Sequence, residues 1–542
     1  MTEKRKILKS ASVITLATLT SRIFGYLRDQ RITLLLGTSL AADSFILAFQ
    51  LPNLLRRLVG DGSMTASFIP VFSGYLGRPS AELWRFANRV FWALTILLAG
   101  LTMLGVAFSP QLIRMLTLFG KNPGQWDLAV YLNRIIFPFL FFIGLSALAM
   151  AILNSFHIFG LPASTPILFN LSIIILSLGF VYRPIIRLVP EAYRTPAVAL
   201  ALGVVIGGAL QFLMQVPELV RKGMRFLPSL SFADPGVRKV GRLLAPGFFG
   251  LGIYQINFIV DRIFATSAKM PRGSVMSLYI ASRVTELVLG VYAISVATAI
   301  LPMMAHQAAA RDYETLKKTF TFALRIVTFI ALPGAVGLII LRQPIIQILF
   351  QHGQFSAEST QLTAQALLFY AAGLPPFAGL KLIVPAFYST QDTRTPVRIA
   401  ACALGLNIGL NVLFLEFLFS KLYNGGPPLA SSLSAYFSFF LLFWLFRERL
   451  GRLGARALFG SFGKVLASSA VMGVACYAML QFAARAGINV FFGRAAMLAV
   501  MIVAGLLVYL GAARLLRCKE IDELREILRG AELPPAETVA MG

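Results

Sequence analysis

Charged residues are scarce in this chain. Asp, Glu, Lys and Arg make up only 13% of its 542 residues, about half the share found in an ordinary soluble domain. Hydrophobic residues make up 57%, and the mean hydropathy is +0.77. So few charges cannot cover the surface of several soluble domains. The composition therefore indicates a membrane protein with many spans.

Cysteine and histidine are equally rare, with three of each. The cysteines form no CxxC pair, the histidines lack metal-ligand spacing, and no HExxH, GxSxG or P-loop motif is present in the sequence. We therefore expect no firm metal site, no disulfide framework and no ATP hydrolysis within this chain. The residues concerned are Cys402, Cys476, Cys518, His157, His306 and His352.

Acidic residues are outnumbered by basic ones, and the formal net charge is +26. In a soluble protein this charge would suggest nucleic acid as a partner. Here no long basic segment and no nucleic-acid reader motif accompanies it. Because Lys and Arg collect in the cytoplasmic loops of membrane proteins, we attribute the charge to membrane orientation and expect no nucleic-acid binding.

Fourteen apolar segments are long enough to cross a bilayer, which needs about 20 residues per helix. The sequence thus predicts an all-α polytopic membrane protein with 14 transmembrane helices. The spans are 9–36, 40–75, 84–108, 127–154, 161–182, 196–217, 243–268, 272–305, 316–341, 358–388, 396–420, 427–446, 463–484 and 493–514.

The loops on one side of these spans carry more than twice as many Lys and Arg residues as the loops on the other side. This bias predicts that both termini are cytoplasmic. A long polar loop at 217–243 separates six spans from eight. We therefore predict two six-helix lobes, at 1–220 and 221–450, a C-terminal helix pair at 451–515 and a cytoplasmic tail at 516–542. The tail begins with "LRCKEIDELREILRG", which is typical of an amphipathic helix.

Several ionisable residues interrupt the spans, where they are costly and usually face a cavity or a partner. At about 100° per residue, Arg22 and Asp29 share one helix face. Pro52 is expected to kink the second span and free carbonyls. The complete set is Arg22, Arg28, Asp29, Arg31, Asp43, Arg56, Arg57, Asp261, Arg283, Glu286 and Lys381.

Two interpretations of these charges compete. They can form internal ion pairs or reach the interface, as we expect for Arg31, Arg57 and Lys381, while Arg283 and Glu286 are spaced to pair with each other. Alternatively, a surplus of arginine can line a cavity for an anion, because the planar guanidinium suits phosphate or diphosphate. The surplus favours a transporter for a phosphate-bearing substrate.

Four segments make the sequence recognisable. They are "SRIFGYLRD" at 21–29, "AADSFILAFQLPNLLRRL" at 41–58, "FIPVF" at 68–72 and "AFYSTQDTRTPV" at 386–397. Together they closely resemble the lipid II flippase MurJ family, also called MviN. That family belongs to the multidrug/oligosaccharidyl-lipid/polysaccharide exporter superfamily. The resemblance extends from about residue 7 to about residue 515.

The resemblance implies a V-shaped bundle that flips lipid II, the lipid-linked peptidoglycan precursor, across the cytoplasmic (inner) membrane of a bacterium by alternating access. It implies a cationic cavity for the diphosphate-sugar headgroup, and a groove at 451–515 for the polyprenyl tail. No covalent chemistry is required, so the chain is expected to be a transporter rather than an enzyme. By motif match, the implied substrate-binding residues are Arg22, Arg28, Arg56 and Arg283, with Ser21, Asp29, Asp43 and Asn170 beside them.

The driving force is less clearly indicated. Some family members resemble sodium-binding transporters, with an acid in the seventh span and an Asn/Asp pair in the eleventh. Here Asp261 fits the first position, while the pair consists of Asn407 and Asn411, which can equally bond between helices. We expect no bound cofactor; Na⁺ or the membrane potential could drive transport.

Other functions stay open at this point. The chain could flip another polyprenyl-diphosphate-linked glycan, or it could be a cation-coupled drug antiporter of the same superfamily, which would favour carboxylates in its cavity. A membrane enzyme acting on polyprenyl phosphates would want an acidic metal cluster or an acid/base pair. A scaffold without transport activity would tolerate alanine at the arginines.

Overall fold

The computed structural model describes residues 3–60, 63–120, 126–231, 233–451, 455–485 and 491–528. Within these ranges the chain consists of helices and the turns that join them, with no strand. The last residues of the predicted tail, 529–542, lie outside this description.

The α-helices are α1 Glu3–Leu36, α2 Leu40–Gly60, α3 Ser63–Ser73, α4 Ser80–Ala107, α5 Ser109–Leu116, α6 Asp127–Ile136, α7 Phe139–Ser155, α8 Gly160–Leu176, α9 Gly179–Arg187, α10 Pro196–Leu213, α11 Val216–Arg221, α12 Pro235–Ala265, α13 Ser274–Ala309, α14 Tyr313–Phe350, α15 Ala357–Ala372, α16 Leu374–Ser389, α17 Arg394–Phe417, α18 Phe419–Leu422, α19 Gly426–Leu450, α20 Ala455–Arg485, α21 Phe491–Leu515 and α22 Lys519–Leu528.

Among the described residues, eight continuous helical segments are long and apolar enough to cross a membrane, and two bent helix pairs raise this number to ten. The bent pairs are α8 with α9, at 70°, and α15 with α16, at 46°. The other predicted spans coincide with α1, with α2 and α3, with α12, and with α13. These helices contain most of the charged residues that the sequence places within spans. The charges lower the mean hydropathy of these helices.

Contacts between Cα atoms divide the chain into two compact units. The first unit contains residues 1–268 together with the short segment 352–356, and the second contains 269–351 and 357–542. The first unit includes α12, which packs on α2, α3 and α4.

Each unit has its own hydrophobic core. In the first unit, aromatic side chains of α3 and α4, among them Phe68, Phe72 and Phe86, pack in one core with aliphatic side chains of α7. In the second unit, α13, α14, α16 and α19 meet around Phe320 and Phe387. A further apolar cluster, also in the second unit, joins α14 to the C-terminal helices α20, α21 and α22.

The same C-terminal cap closes α7 and α16. His157 and Gln391 adopt left-handed φ angles of 59° and 61°. In both turns this residue's amide bonds a carbonyl three residues back, and the following amide bonds a carbonyl five residues back. This is the hydrogen-bond pattern of a Schellman motif, which satisfies the last helix carbonyls. The fourth-to-fifth and tenth-to-eleventh span junctions are therefore built alike, one in each unit.

Candidate functional site

Arg28 lies at the centre of a buried polar cluster between α1 and α8. Its Nε and Nη2 donate to Asp29 Oδ1 at 3.0 and 2.6 Å, and its Nη1 donates to Asn170 Oδ1 at 3.0 Å. Asn170 in turn donates from Nδ2 to the carbonyl of Ser21 at 3.1 Å. These four residues, which we call the α1–α8 cluster, thus contain four of the eight predicted substrate-binding positions.

The surroundings of the cluster hold the Arg28 guanidinium in one orientation. Arg28 is 8% exposed and Asp29 is 4% exposed, so both charges are largely withdrawn from solvent and must be paired. The ring of Phe169 also faces the guanidinium, at 5.9 Å from its centre, which adds a cation–π contact. The Arg28 guanidinium is therefore held in one orientation, with its charge paired to Asp29.

Arg31, one helical turn further along α1, has a different environment. It donates from Nε to Ser177 Oγ at 3.0 Å and from Nη2 to the Ser177 carbonyl at 3.1 Å. Ser177 directly follows α8. Arg31 therefore satisfies a carbonyl at a helix end, which agrees with the structural role expected for it.

The remaining predicted positions of the first unit lie on α1 and α2. Arg22 is exposed, Asp43 is 4% exposed, and Arg56 is half-buried. Arg56 donates from Nε to Asn53 Oδ1 at 3.0 Å, one turn back on α2. The substrate-binding positions predicted in this unit comprise three arginines and two aspartates, and Asp261, predicted as an ion-binding position, adds a third aspartate.

Pro52 leaves the carbonyl of Ala48 without its usual partner, because proline has no amide N–H to donate four residues back. The structure supplies a replacement: Asn133 Nδ2 in α6 donates to that carbonyl at 2.9 Å. Asn133 is fully buried and also accepts from Ser109 Oγ at 2.8 Å. The sequence predicted the freed carbonyl but not its new donor, Asn133. The only indication of Asn133 in the sequence is that it is a polar amide residue within the apolar span 127–154.

Asp261 is completely buried in α12 of the first unit. Its neighbour Arg262 donates from Nη1 to Gln50 Oε1 of α2 at 2.8 Å. Neither Gln50 nor Arg262 was predicted as a site residue, although both are polar residues within spans. Their bond ties α12 to α2 and so accounts for part of the packing that places α12 in this unit.

In the second unit, Arg283 and Glu286 form the predicted ion pair along α13, with Nη1 and Oε2 3.1 Å apart. About one third of each side chain is exposed, so the protein encloses the pair only in part. Lys381 is half-buried in α16. Arg283 thus has a counter-charge one helical turn away.

The two predicted ion-binding asparagines lie in α17 and are buried. Asn411 Nδ2 donates to the Asn407 carbonyl at 3.0 Å and to Asn407 Oδ1 at 3.1 Å, and Asn407 Nδ2 donates to Ser431 Oγ at 3.2 Å. Asn407 Oδ1 thus accepts one hydrogen bond within α17, and the bond from Asn407 to Ser431 joins α17 to α19. No cluster of three or more metal-ligating His, Cys, Asp or Glu side chains occurs in the part of the chain that the structure describes.

An apolar groove of about 330 Å³ lies between α14 and α20. Its floor is close-packed, because a Cβ at Gly473 would lie 2.9 Å from Val336 and 3.0 Å from Ile340. Its rim is open, since Val474 is 71% and Tyr477 is 56% exposed. The second unit therefore presents a shallow hydrophobic groove beside α20, the first helix of the C-terminal pair.

The fold is shared with transporters of known structure. A multidrug resistance MATE family transporter of the MOP superfamily, in an inward-facing conformation, superimposes with a TM-score of 0.65 at 16% identity, covering 79% of this chain and 94% of that chain. A structure of "Lipid II flippase MurJ, inward closed conformation" superimposes with a TM-score of 0.75 at 25% identity. The superposition covers 94% of this chain and 99% of that chain. The chain is thus a multi-pass membrane protein with the fold of the MOP superfamily.

Sequence comparison identifies the family. The family model described as "Lipid II flippase MurJ" matches residues 32–498. A probable lipid II flippase MurJ of Vibrio cholerae is 33% identical, covering 82% of this chain and 83% of the relative. A relative with the same description from Bdellovibrio bacteriovorus is 31% identical, covering 96% and 97%. This chain belongs to the MurJ family.

These comparisons confirm the predicted family and the predicted all-α architecture of 14 transmembrane helices. The roles of the individual site residues stay predictions. So do the lobe boundaries and the identity of the driving ion.

Proposed function

We propose that this protein flips lipid II from the inner to the outer leaflet of a bacterial cytoplasmic membrane. The homologues from Vibrio cholerae and Bdellovibrio bacteriovorus carry this function in their names, and the family model matches most of the chain. In this proposal both termini are cytoplasmic, the arginine-bearing positions bind the diphosphate-sugar headgroup, and no covalent step is involved.

The observation that carries the proposal is the α1–α8 cluster. A guanidinium held by Asp29 and Asn170 keeps its plane fixed, and a fixed planar fork suits the oxygens of a diphosphate. A charged headgroup cannot pass through hydrocarbon unaided. A polar path lined by such groups would lower this barrier, and alternating access would present the headgroup to each side in turn.

The apolar groove between α14 and α20 suggests where the lipid tail travels. A polyprenyl chain is as apolar as the bilayer interior, so it gains little by leaving lipid. An open groove with exposed Val474 and Tyr477 would let the tail stay in apolar surroundings while the headgroup moves. We propose that the helix pair α20 and α21 performs this part of the transport.

The proposal is tested by replacing Arg22, Arg28, Arg56 and Arg283 singly with Ala. Each variant is expressed as the only copy in a host depleted of its own flippase, and membrane levels are confirmed. Growth and the exposure of lipid II at the outer surface are then measured. Arg114→Ala is the matched control, because Arg114 is an exposed arginine of α5 outside the predicted site.

We expect loss of growth and of lipid II exposure in the site variants, and normal values in the control. If all four site variants behave like the control, the arginines are structural and the cationic path is wrong. If the wild-type protein exposes a different polyprenyl-linked glycan at the outer surface of the depleted host, but not lipid II, the result would favour another flippase of the superfamily. Export of organic cations would favour a drug antiporter.

A further inference from the structure

A polar cavity of about 550 Å³ lies in the second unit, and its lining includes none of the residues assigned above. It forms where the C-terminal part of α14 meets α15 and the turn that precedes α19. Its volume falls within the range of small-molecule binding pockets, which are about 300–1,000 Å³. The lining residues that carry polar groups are Arg342, Gln343, Glu358, Gln361, Gln365 and Tyr423.

The chemistry of this lining is balanced rather than cationic. Arg342 and Glu358 contribute one charge of each sign, and the glutamines contribute both donors and acceptors in planar amide groups. Tyr423 adds an aromatic ring with a hydroxyl at its edge. A lining of this kind matches a ligand rich in hydroxyl and amide groups, namely a saccharide or a peptide, better than it matches a bare anion or a lipid tail.

Tyr423 is held in place with backbone strain. Its φ angle is +52°, a region that non-glycine residues adopt at a cost and that recurs at ligand-binding sites. Gln365 Nε2 donates to the carbonyl of Leu422 at 2.9 Å, and Asn424 Nδ2 donates to Ser277 Oγ at 2.8 Å and to the carbonyl of Leu362 at 3.1 Å. The residues on both sides of Tyr423 are thus anchored, which keeps its side chain at the cavity, where it is 42% exposed.

The proposed orientation places this cavity at the outer end of the second unit. With cytoplasmic termini, α14 begins inside and ends outside, and Arg342 lies eight residues before its last residue, Phe350. A headgroup that has crossed the membrane would emerge on that side. The glycan-peptide part of lipid II carries the hydroxyl and amide groups that the lining matches.

We propose that this cavity is an outer-face binding site for the saccharide-peptide portion of the translocated headgroup. The site receives the sugar or peptide groups through Arg342, Glu358 and Gln361, while Tyr423 packs against them. It binds the headgroup after the diphosphate has left the arginine positions. This inference rests on the proposed function and orientation.

The test is photo-crosslinking in proteoliposomes that contain the full chain and lipid II with a fluorescent peptide. A benzophenone amino acid replaces the exposed Gln361, and a second preparation carries it at the exposed Arg272, which does not line the cavity. Soluble disaccharide-peptide without lipid, undecaprenyl phosphate and excess phospholipid serve as competitors. Transport of lipid II is measured in the same preparations.

We expect a fluorescent adduct at position 361 and little at 272. The soluble disaccharide-peptide should compete for it, whereas undecaprenyl phosphate and phospholipid should not. Arg342→Gln should lower the adduct by about threefold to tenfold, as expected for one lost hydrogen bond, and the matched Arg272→Gln variant should leave it unchanged. Competition by phospholipid, equal labelling at both positions, or no effect of Arg342→Gln would overturn the inference.

The outcome separates this inference from the proposed function. If the protein with benzophenone at position 361 transports lipid II but gives no adduct, only the outer-face site is wrong. If the wild-type protein does not transport lipid II, the proposed function is wrong, whatever the labelling. Added soluble disaccharide-peptide that carries the fluorophore should label position 361 even in Arg28→Ala, because the cavity uses none of the α1–α8 cluster.

Discussion

Arg325 of α14 and Glu520 of α22 form a buried ion pair that fastens the C-terminal helix to the body of the second unit. Arg325 Nε donates to Glu520 Oε1 at 2.8 Å, and the side chains are 18% and 2% exposed. Arg325 also pairs with Glu523, and Ser461 of α20 donates to Glu520. The short amphipathic helix predicted after residue 515 is thus present, and a charge network adds to its apolar contacts.

Replacing Glu520 with Ala should release α22. Glu523 still compensates part of the Arg325 charge, so we expect a loss of about 2 kcal/mol rather than the larger cost of leaving a buried charge fully unpaired. Cys518, just before α22, is 3% exposed. Its burial is the main cause that raises the pKa of its thiol, and the nearby negative charge of Glu520 is the second. In the wild type it should therefore react slowly with maleimide.

In Glu520→Ala, mass spectrometry should show faster labelling of Cys518. The control is Glu82→Ala, which breaks a half-exposed surface pair with Arg78 and should change stability by less than about 0.5 kcal/mol. Equal labelling of Cys518 in the wild type and Glu520→Ala would contradict the role of this ion pair.

Asp392 should make stability depend on pH in the acid range. It accepts from the amides of Arg394 and Thr395 at the start of α17 and pairs with Arg449 at the end of α19. Burial of Asp392 opposes ionisation, but the bonds from Thr395 and the charge of Arg449 outweigh it and hold the pKa of Asp392 below its ordinary value. The stabilisation is therefore present above the unfolded-state pKa, about 3.9, and is lost as pH falls through the lower folded-state pKa.

Asp392→Asn isolates this charge effect, because asparagine can still cap a helix. The unfolding temperature of the variant should lie below that of the wild type by a constant amount from pH 8 to pH 5. The difference should shrink below about pH 4. Glu191→Gln is a control, since the Glu191 side chain is 91% exposed and should give no difference at any pH. A difference for Asp392→Asn that grows as the pH falls would contradict a lowered folded-state pKa for Asp392.

The sequence allowed the spans to be predicted because each one needs only a local run of apolar residues. It did not allow the bend angles to be predicted, because they depend on neighbours distant in sequence. At the bend between α15 and α16, Pro375 and Pro376 mark the start of a new helix locally. The close packing of α19 has no such local signal: a Cβ on Gly373 would lie 2.3 Å from Ser432 Oγ of α19, so this approach requires glycine.

The same distinction applies to the site. The arginines were identifiable because charge in an apolar span is unusual. Their partners were not, because Arg28 and Asn170 are 142 residues apart and only the packing of α1 on α8 brings them together. The pair of Arg283 and Glu286 was predicted correctly because helical geometry alone places residues three apart side by side.

The bond between Asn133 and the carbonyl of Ala48 leads to a prediction about Pro52. Asn133→Ala should cost about 1–3 kcal/mol, because it leaves a buried carbonyl without a donor. In a Pro52→Ala background the new amide at position 52 can donate to Ala48 itself, so the same substitution should cost less. The free energies of unfolding of the two single variants and the double variant give this coupling directly. Strictly additive effects would show that Asn133 does not replace the missing proline donor.

The membrane potential, rather than Na⁺, is the driving force that we expect for the transport cycle. The substrate-binding positions predicted in the first unit comprise three arginines and two aspartates, so a cycle that moves these positions through the membrane field moves positive charge. Each charge that crosses the full field contributes about 2.3 kcal/mol per 100 mV, and even a fraction of that energy changes rates several-fold. By contrast, Asn407 Oδ1 already accepts from Asn411, which leaves less capacity for a cation.

Proteoliposomes with an imposed K⁺ diffusion potential test this expectation. Transport of lipid II should slow at least about threefold when the potential is dissipated, and should change little when choline replaces Na⁺ at constant potential. Asn411→Ala should retain the response to potential, because this substitution removes no charge. Arg28→Gln should weaken that response in whatever transport remains, because one positive charge is removed. Transport that requires Na⁺ and is abolished by Asn411→Ala would instead assign the asparagine pair to ion coupling.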